Sequence, residues 1–354
     1  MHKAKNGNLH KLSIGYATAN LPLSHPAYRR RFAFYLKSRE LHWELAEWRK
    51  SYDIVVVHHS ADLPRWSRYD KGRVILDYND DYLALQLSGL RNRTRGIARY
   101  LSRNWTSFCF DFRAAYKQMM ARADAIVCCT SAQRSQASKY CSNIHRILDM
   151  QADPDWNCKL DYRTRGTFSL VWEGLPSFSG LHEFKLILAR LSEQRPVAMH
   201  LLTSLKHGRF LNTFAQVNTK DEIDKLFPSS AVYLYEWNPI LFSHIVTGCD
   251  LAVIPIDMED PFWVGKPANK LLFFWRLGMP VLTDATPAYM EMMDECGLDM
   301  VCHSREDWLT KAERYLADEE ARRVAGRSAH AFVQDRYSNE RLLDQWESVL
   351  ESVM

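Results

Sequence analysis

The sequence predicts an α/β protein made of two tandem parallel-sheet domains, and three observations carry that reading. Short runs that are apolar throughout alternate with helical stretches, the pattern of parallel strands covered on both faces by helices. The alternation halts at residues 151–167, QADPDWNCKLDYRTRGT, a polar and turn-rich segment, and then restarts. With 354 residues, 47% apolar and 25% charged, the chain has room for two cores of ordinary size.

In order, the first half shows KLSIGYATA (11–19), a helical stretch from Tyr28 to Lys50, YDIVVVHHS (52–60) and GRVILDY (72–78). A long helical region around 107–123 follows, then AIVCCTS (125–131), a short helix and IHRILDM (144–150). Runs rich in β-branched residues and bounded by turn residues read as strands. The second half repeats the scheme: FSLVWEG (168–174), a helix at 181–194, VAMHLLT (197–203), a helix near 220–227, AVYLYEW (231–237), a helix to about 247 and DLAVIPI (250–256). A buried helix after Lys266 and the strand MPVLTD complete it. Residues 305–354 read as helical and end on an apolar stripe of Leu342, Leu343, Trp346, Val349 and Leu350. The expected domains are 1–155 and 168–338, with a linker at 156–167 and a last helix at 339–354.

The net charge of +4 hides a split. Residues 1–150 hold 25 Lys plus Arg against 12 Asp plus Glu, a net of +13, while the remainder holds 21 against 30, a net of −9. Such asymmetry points the first half toward an anionic partner. Arg29 to Arg31 and the arginines from 91 to 122 lie among Tyr100, Trp105, Phe108, Phe110, Phe112 and Tyr116, which suits an anionic membrane surface or a nucleic acid. A core of aromatics under solvated arginines gives the same pattern. The eight cysteines form no C-x-x-C pair, so thiols are expected rather than a disulfide or a zinc site. The basic N-terminus lacks an apolar signal core, and the run LLFFW is far below the roughly 18 residues of a spanning helix. A cytoplasmic protein is expected, with a peripheral place at the inner face of the membrane left open.

The segment GKPANKLLFFWRLGMPV (265–281) sets two lysines at the start of a buried helix, with Pro267 suited to its first position. Cations are disfavoured at a helix N-terminus unless something anionic sits there. At the C-terminal edge of a parallel sheet, two ammonium groups and backbone N–H groups are what a diphosphate requires. Spacing alone leaves open that both lysines cap a solvated loop. The turn WEGLPSFSG (172–180) lies at the same edge, where Gly174, Ser177, Ser179 and Gly180 could bring backbone and hydroxyl donors close to a phosphate, although such turns also occur with no ligand. Neither a P-loop nor a G-x-G-x-x-G fingerprint is present, so a kinase, ATPase or dehydrogenase lacks support.

Tandem α/β domains, the G-x-P-V turn after a buried helix, TPAYMEMM beyond it and a helical tail together resemble the GT-B glycosyltransferases, above all the retaining family 4 type. ADAIVCCTSAQRSQA (123–137) and YDIVVVHHS also look like that family's first-domain stretches. The resemblance implies two Rossmann-like domains with the cleft between them as active site, and a last helix crossing back to the first domain. It implies a nucleotide-diphosphate sugar as donor, no required cofactor or metal, and Lys266 and Lys270 on the diphosphate with Asn269 beside them. The family's second E-x7-E glutamate is here Phe273, and Glu291 is a possible substitute at the ribose. The family's glycine-rich turn after the first strand is replaced by ATANLPLSHP.

In such a transfer the protein mainly positions groups and neutralises the charge of the leaving diphosphate. Asp80 and Asp81 of LDYNDDY are candidates to orient an acceptor hydroxyl or act as base, although an acidic loop after a strand also serves as a cap or ion-pair partner. His58 or His59, ending a buried strand, is the other first-domain candidate, and a satisfied core histidine is the plain alternative. Glu173 and Glu259 or Asp260 are candidates for the donor sugar hydroxyls. The sequence reading is therefore a glycosyltransferase acting on a glycan or lipid-linked acceptor in bacterial surface polysaccharide or glycoconjugate synthesis. A same-fold enzyme acting on DNA or another macromolecule, and a non-catalytic sugar-nucleotide or polysaccharide-binding module, are the alternatives.

Overall fold

The apolar runs form two parallel sheets, each at the centre of its own unit. The computed structural model describes residues 7–19, 23, 25–84, 89–151, 157–209, 215–228 and 230–354. Contacts divide the chain into one unit of Met1–Ala152, Gly265–Pro267 and Ser338–Met354, and a second of Asp153–Val264 and Ala268–Tyr337.

The first unit runs β1 (Ile14–Ala17), α1 (Pro26–Arg29), α2 (Phe32–Ser38), β2 (Trp43–Leu45), β3 (Ile54–His58), α3 (Leu63–Trp66), β4 (Arg73–Tyr78), α4 (Gly89–Leu101), α5 (Phe112–Arg122), β5 (Ala125–Cys128), α6 (Ser131–Ala137) and β6 (Ile144–Arg146). Its six strands lie in the order β2-β1-β3-β4-β5-β6 and every pairing is parallel. Val55, Val57, Val74, Leu76 and Ile126 pack with Tyr116, Met119 and Met120 into one core.

The second unit runs β7 (Phe168–Glu173), α7 (Ser179–Ser192), β8 (Val197–Thr203), β9 (Lys206–Arg209), β10 (Ala215–Asn218), α8 (Thr219–Leu226), β11 (Ala231–Glu236), α9 (Pro239–Gly248), β12 (Leu251–Ile254), α10 (Pro261–Val264), α11 (Asn269–Trp275), β13 (Val281–Asp284), α12 (Pro287–Cys296), β14 (Val301–Cys302), α13 (Arg305–Ala317) and α14 (Glu319–Arg336). The parallel order β11-β8-β7-β12-β13-β14 winds outward in both directions from β7 and β12. The neighbouring ends of those two strands are therefore a topological switch point, where open α/β sheets bind ligands. A small antiparallel hairpin, β9 with β10, stands apart from the sheet.

The last helix, α15 (Asn339–Glu351), belongs to the first unit, as the sequence reading expected. It buries its apolar stripe, and the Trp346 ring lies 5.1 Å from Phe32. Arg39 at the end of α2 is fully buried and pairs with Glu340 (2.8 Å) and Asp344 (2.7 Å) on that helix.

Three local expectations differ from the structure. The single helix from Tyr28 to Lys50 is two short helices and the edge strand β2, because α2 stops at Arg39 and Glu40 takes a left-handed φ of +54°. The helical region around 107–123 starts only at Phe112, where Asp111 accepts from Ala114 N, and α4 precedes it. The helix after Lys266 starts at Asn269, so Pro267 lies before it and only Lys270 is in its first turn.

Candidate active site

At the switch point of the second sheet, β7 ends at Glu173 and turns through Gly174 into α7. A Cβ added to Gly174 would lie 2.9 Å from Lys270 Nζ and 2.8 Å from the Trp172 ring. Lys270, from the first turn of α11, stands 5.1 Å above the centre of that indole. The lysine at position 270 and the glycine turn at 174 are thus one place. No side chain caps the N-terminus of α7, which begins at Ser179, and Ser177 and Ser179 are exposed beside it. Leu181 N donates back to Phe178 O (3.0 Å), so the N–H groups of Ser179 and Gly180 ahead of it and the positive dipole end are what α7 presents at the switch point.

The rest of this edge is held by Gly180, here in a packing role, and by Asp284 and Tyr289, which the sequence reading passed over. Gly180 packs so tightly that a Cβ there would meet Pro255 O at 2.3 Å, which brings the start of α7 against the end of β12. Asp284, the last residue of β13, accepts from Ile256 N (2.6 Å) and Trp308 Nε1 (2.7 Å) and so fastens that loop. Tyr289 on α12 is buried, and burial followed by the charges of Glu173 and Asp284 pushes its hydroxyl up. A carboxylate closing a buried strand at the ligand edge was the available signal for Asp284. Glu291 is half-buried on α12, and Asn269 opens α11 beside Lys270. Phe273 is buried and its ring lies 4.3 Å from Phe242 of α9, so the position of the family's glutamate is filled by packing.

In the first unit, the Gly265–Pro267 segment brings Lys266 Nζ to 2.6 Å from Asp80 Oδ1. Both side chains are about a quarter exposed. Asp81, by contrast, is buried, with Tyr78 Oη (2.8 Å) and Ala84 N (3.0 Å) on one oxygen and Gln136 Nε2 (3.0 Å) on the other. Its oxygens hold the loop after β4. Arg31, which the sequence placed in a basic surface cluster, is buried instead: its Nε donates to Asp77 at 3.1 Å and its Nη1 to Ile147 O at 2.9 Å and Asp149 at 3.2 Å. Trp105, Phe112 and Tyr116 are core, whereas Tyr100, Phe108 and Phe110 are exposed. At the C-terminal edge of the first sheet a cavity of about 250 Å³ is lined by Thr18, Trp48, Asp62, Arg65, Trp66 and Asn104 among others.

His58, the last residue of β3, and His59 just beyond it form a buried pair with ring centres 4.3 Å apart. His58 Nδ1 meets Ser60 Oγ at 2.7 Å, while His59 Nδ1 is buried without a hydrogen-bond partner among the described residues. Burial lowers both: His58 to about 4, and His59 well below the ordinary value with His58, Arg99, Arg31 and Lys266 adding to the effect. Both imidazoles are neutral at pH 7. Because the unfolded chain binds these protons more readily than the folded one, their contribution is complete above about pH 6.5 and is lost as pH falls toward 4. Between pH 7.5 and 5.5 the pair is expected to lower unfolding free energy by about 3 kcal/mol. Urea unfolding at the two pH values measures this, and a His58→Gln, His59→Gln variant that keeps the full loss would refute it.

Among the described residues no group of three or more His, Cys, Asp or Glu side chains is arranged to hold a metal ion, and no helix is long and apolar enough to cross a membrane.

No protein-family model matches the chain, and no curated protein matches it. Solved structures share its architecture. HepE from Anabaena, in complex with UDP, superposes with a TM-score of 0.63 at 12% identity, over 96% of this chain and 100% of that one. WaaG, a glycosyltransferase involved in lipopolysaccharide biosynthesis, gives 0.58 at 12% over 95% and 99%. A mutant of TarM from S. aureus, in a complex that includes UDP, gives 0.55 at 12%, and this chain, 84% of which is matched, spans about half of its length (55%). Identities this low show the fold alone, and that fold is GT-B, two Rossmann-like domains in tandem.

Proposed function

We propose that the protein is a glycosyltransferase that takes a sugar from a nucleotide-diphosphate donor. The observation that carries this reading is the meeting of Lys270 with the Gly174 turn at the switch point of the second sheet. An ammonium group, an uncapped helix start and a turn without a side chain make a cradle for a diphosphate and leave room for its oxygens. Lys270 and the α7 N-terminus neutralise the leaving diphosphate, Ser177, Ser179 and Asn269 hydrogen-bond it, and Glu291 takes a hydroxyl of the ribose. Transfer breaks the bond from the sugar's C1 to the diphosphate oxygen and forms one from the acceptor oxygen on the same face. The acceptor proton leaves with the diphosphate, and configuration is retained. Charge neutralisation by lysine dispenses with a divalent metal.

The first unit receives the acceptor, a glycan or lipid-linked saccharide of bacterial surface polysaccharide or glycoconjugate synthesis. Asp80 after β4 orients its hydroxyl with Lys266 as counter-ion, neutral His59 lies at the end of the neighbouring strand β3, and Asp81 positions the loop. The protein works in the cytoplasm.

Phe273 favours a second reading, a sugar-nucleotide-binding module that has lost transfer, because a packed phenyl ring cannot accept from a ribose hydroxyl. Thermal shift against UDP, GDP, CDP, ADP and TDP, with and without magnesium, followed by donor turnover, separates the two. A ligand that binds only the folded state raises its stability. One nucleotide is expected to raise the melting temperature without metal, with slow donor hydrolysis in its presence. A shift without hydrolysis or transfer favours the module, and no shift with any nucleotide removes the donor site altogether.

A further inference from the structure

Residues 90–113 carry six arginines and one acid, Asp111. That acid is engaged at the start of α5, where its Oδ1 accepts from Asn92 Nδ2 (2.6 Å) and Ala114 N (2.9 Å). The same stretch exposes side chains that a water-facing surface ordinarily hides: Leu90 (75%), Leu101 (74%), Phe108 (53%), Phe110 (45%) and Tyr100 (41%). Scattered exposed hydrophobes need no explanation, but contiguous ones do. Here the rings touch. Tyr100 meets Phe108 edge-on at 5.3 Å, Phe108 lies 6.0 Å from Phe110, and the Arg93 guanidinium stands 5.3 Å over Phe110. Leu90 and Leu101 are three turns apart on α4 and so share a face.

The patch is anchored to the core. Trp105, between the helix and the rings, is buried and donates from Nε1 to Ala61 O at 3.2 Å. Asp62 accepts from Thr106 N (2.7 Å) and Thr106 Oγ1 (2.6 Å), and Arg95 lies over the rings of Phe112 and Tyr82. The exposed apolar groups are therefore presented by a fixed support.

We infer that α4 and the loop to Phe110 form a docking surface for an anionic lipid bilayer. Arginines beside exposed Leu, Phe and Tyr match an interface where headgroup phosphates lie above acyl chains. Leu90 and Leu101 decide against a nucleic acid, because aliphatic side chains offer nothing for a base to stack on, whereas they enter an acyl layer readily. This surface stands independently of the donor site.

Vesicle flotation of the full chain tests it, with phosphatidylcholine alone and with about 30% phosphatidylglycerol. Binding is expected only to the anionic vesicles and is expected to weaken as salt rises to about 0.5 M. Arg93→Ser and Arg103→Ser are each expected to weaken it about fivefold. Leu101→Ser with Phe108→Ser is expected to remove the binding that survives in salt, while the melting temperature stays unchanged because both side chains face solvent. Should that pair melt early, Leu90→Ser replaces it. Equal binding to neutral vesicles, no response to these substitutions, or salt-sensitive binding to duplex DNA without vesicle binding would each overturn the inference.

Discussion

Replacing Arg31 by methionine is expected to cost about 3–5 kcal/mol of folding stability. The side chain is 1% exposed and its partner Asp77 is fully buried, so the substitution leaves a carboxylate in the interior with no counter-charge. The guanidinium also ties distant parts of the first unit together. It reaches Asp77 on β4, Ile147 O and Asp149 after β6, and lies 5.6 Å from the Trp346 ring on α15. Replacing both members, Arg31→Met with Asp77→Leu, removes the stranded charge and is expected to recover much of the loss. Urea unfolding of the two variants and the parent at pH 7.5 decides the matter. A double variant no more stable than the single one would show that the lost contacts to Ile147, Asp149 and Trp346 dominate, not the uncompensated carboxylate.

That same residue shows what a sequence conceals. Arg29, Arg30 and Arg31 read as one basic cluster, yet the third faces inward because Asp77 lies 46 positions away on a strand whose register brings it beside His58. No local pattern reports such a partner. The strands of the second sheet were legible for the opposite reason: a strand buried on both faces is a near-continuous apolar run, unbroken in β12 and interrupted only by Ser169 and Glu173 in β7 and by His200 and Thr203 in β8. The short edge strand β2 was not, because its half-exposed Trp-Glu-Leu sequence carries no such run and its left-handed predecessor, Glu40, is not a glycine. Of the candidate site, the ligand edge could be read from strand ends and turns. The separation of the two lysines could not. They are four residues apart, which one helix would set on one face, but the helix starts between them, so Lys266 pairs with Asp80, 186 positions away.

The substitution with the largest expected effect on the proposed reaction is Lys270→Ala. Removing the proposed charged donor to the diphosphate is expected to weaken nucleoside-diphosphate binding about tenfold and to lower kcat/KM by about 100- to 1,000-fold, since charge on the leaving group grows toward the transition state. The larger loss therefore belongs in kcat, and titration calorimetry beside steady-state kinetics separates the two. Gly174→Ala supplies an independent arm. Its new Cβ would stand 2.8 Å from the Trp172 ring and 2.9 Å from Lys270 Nζ, and because that nitrogen ends a flexible chain whereas the indole is buried, the lysine yields first. Nucleotide binding should then fall toward the Lys270→Ala level, and adding Lys270→Ala to Gly174→Ala should cost little more, the non-additivity of two residues serving one contact. Losses that simply add would mean that the turn and the lysine act at separate places, and unchanged nucleotide affinity in both single variants would remove the diphosphate from this edge of the sheet.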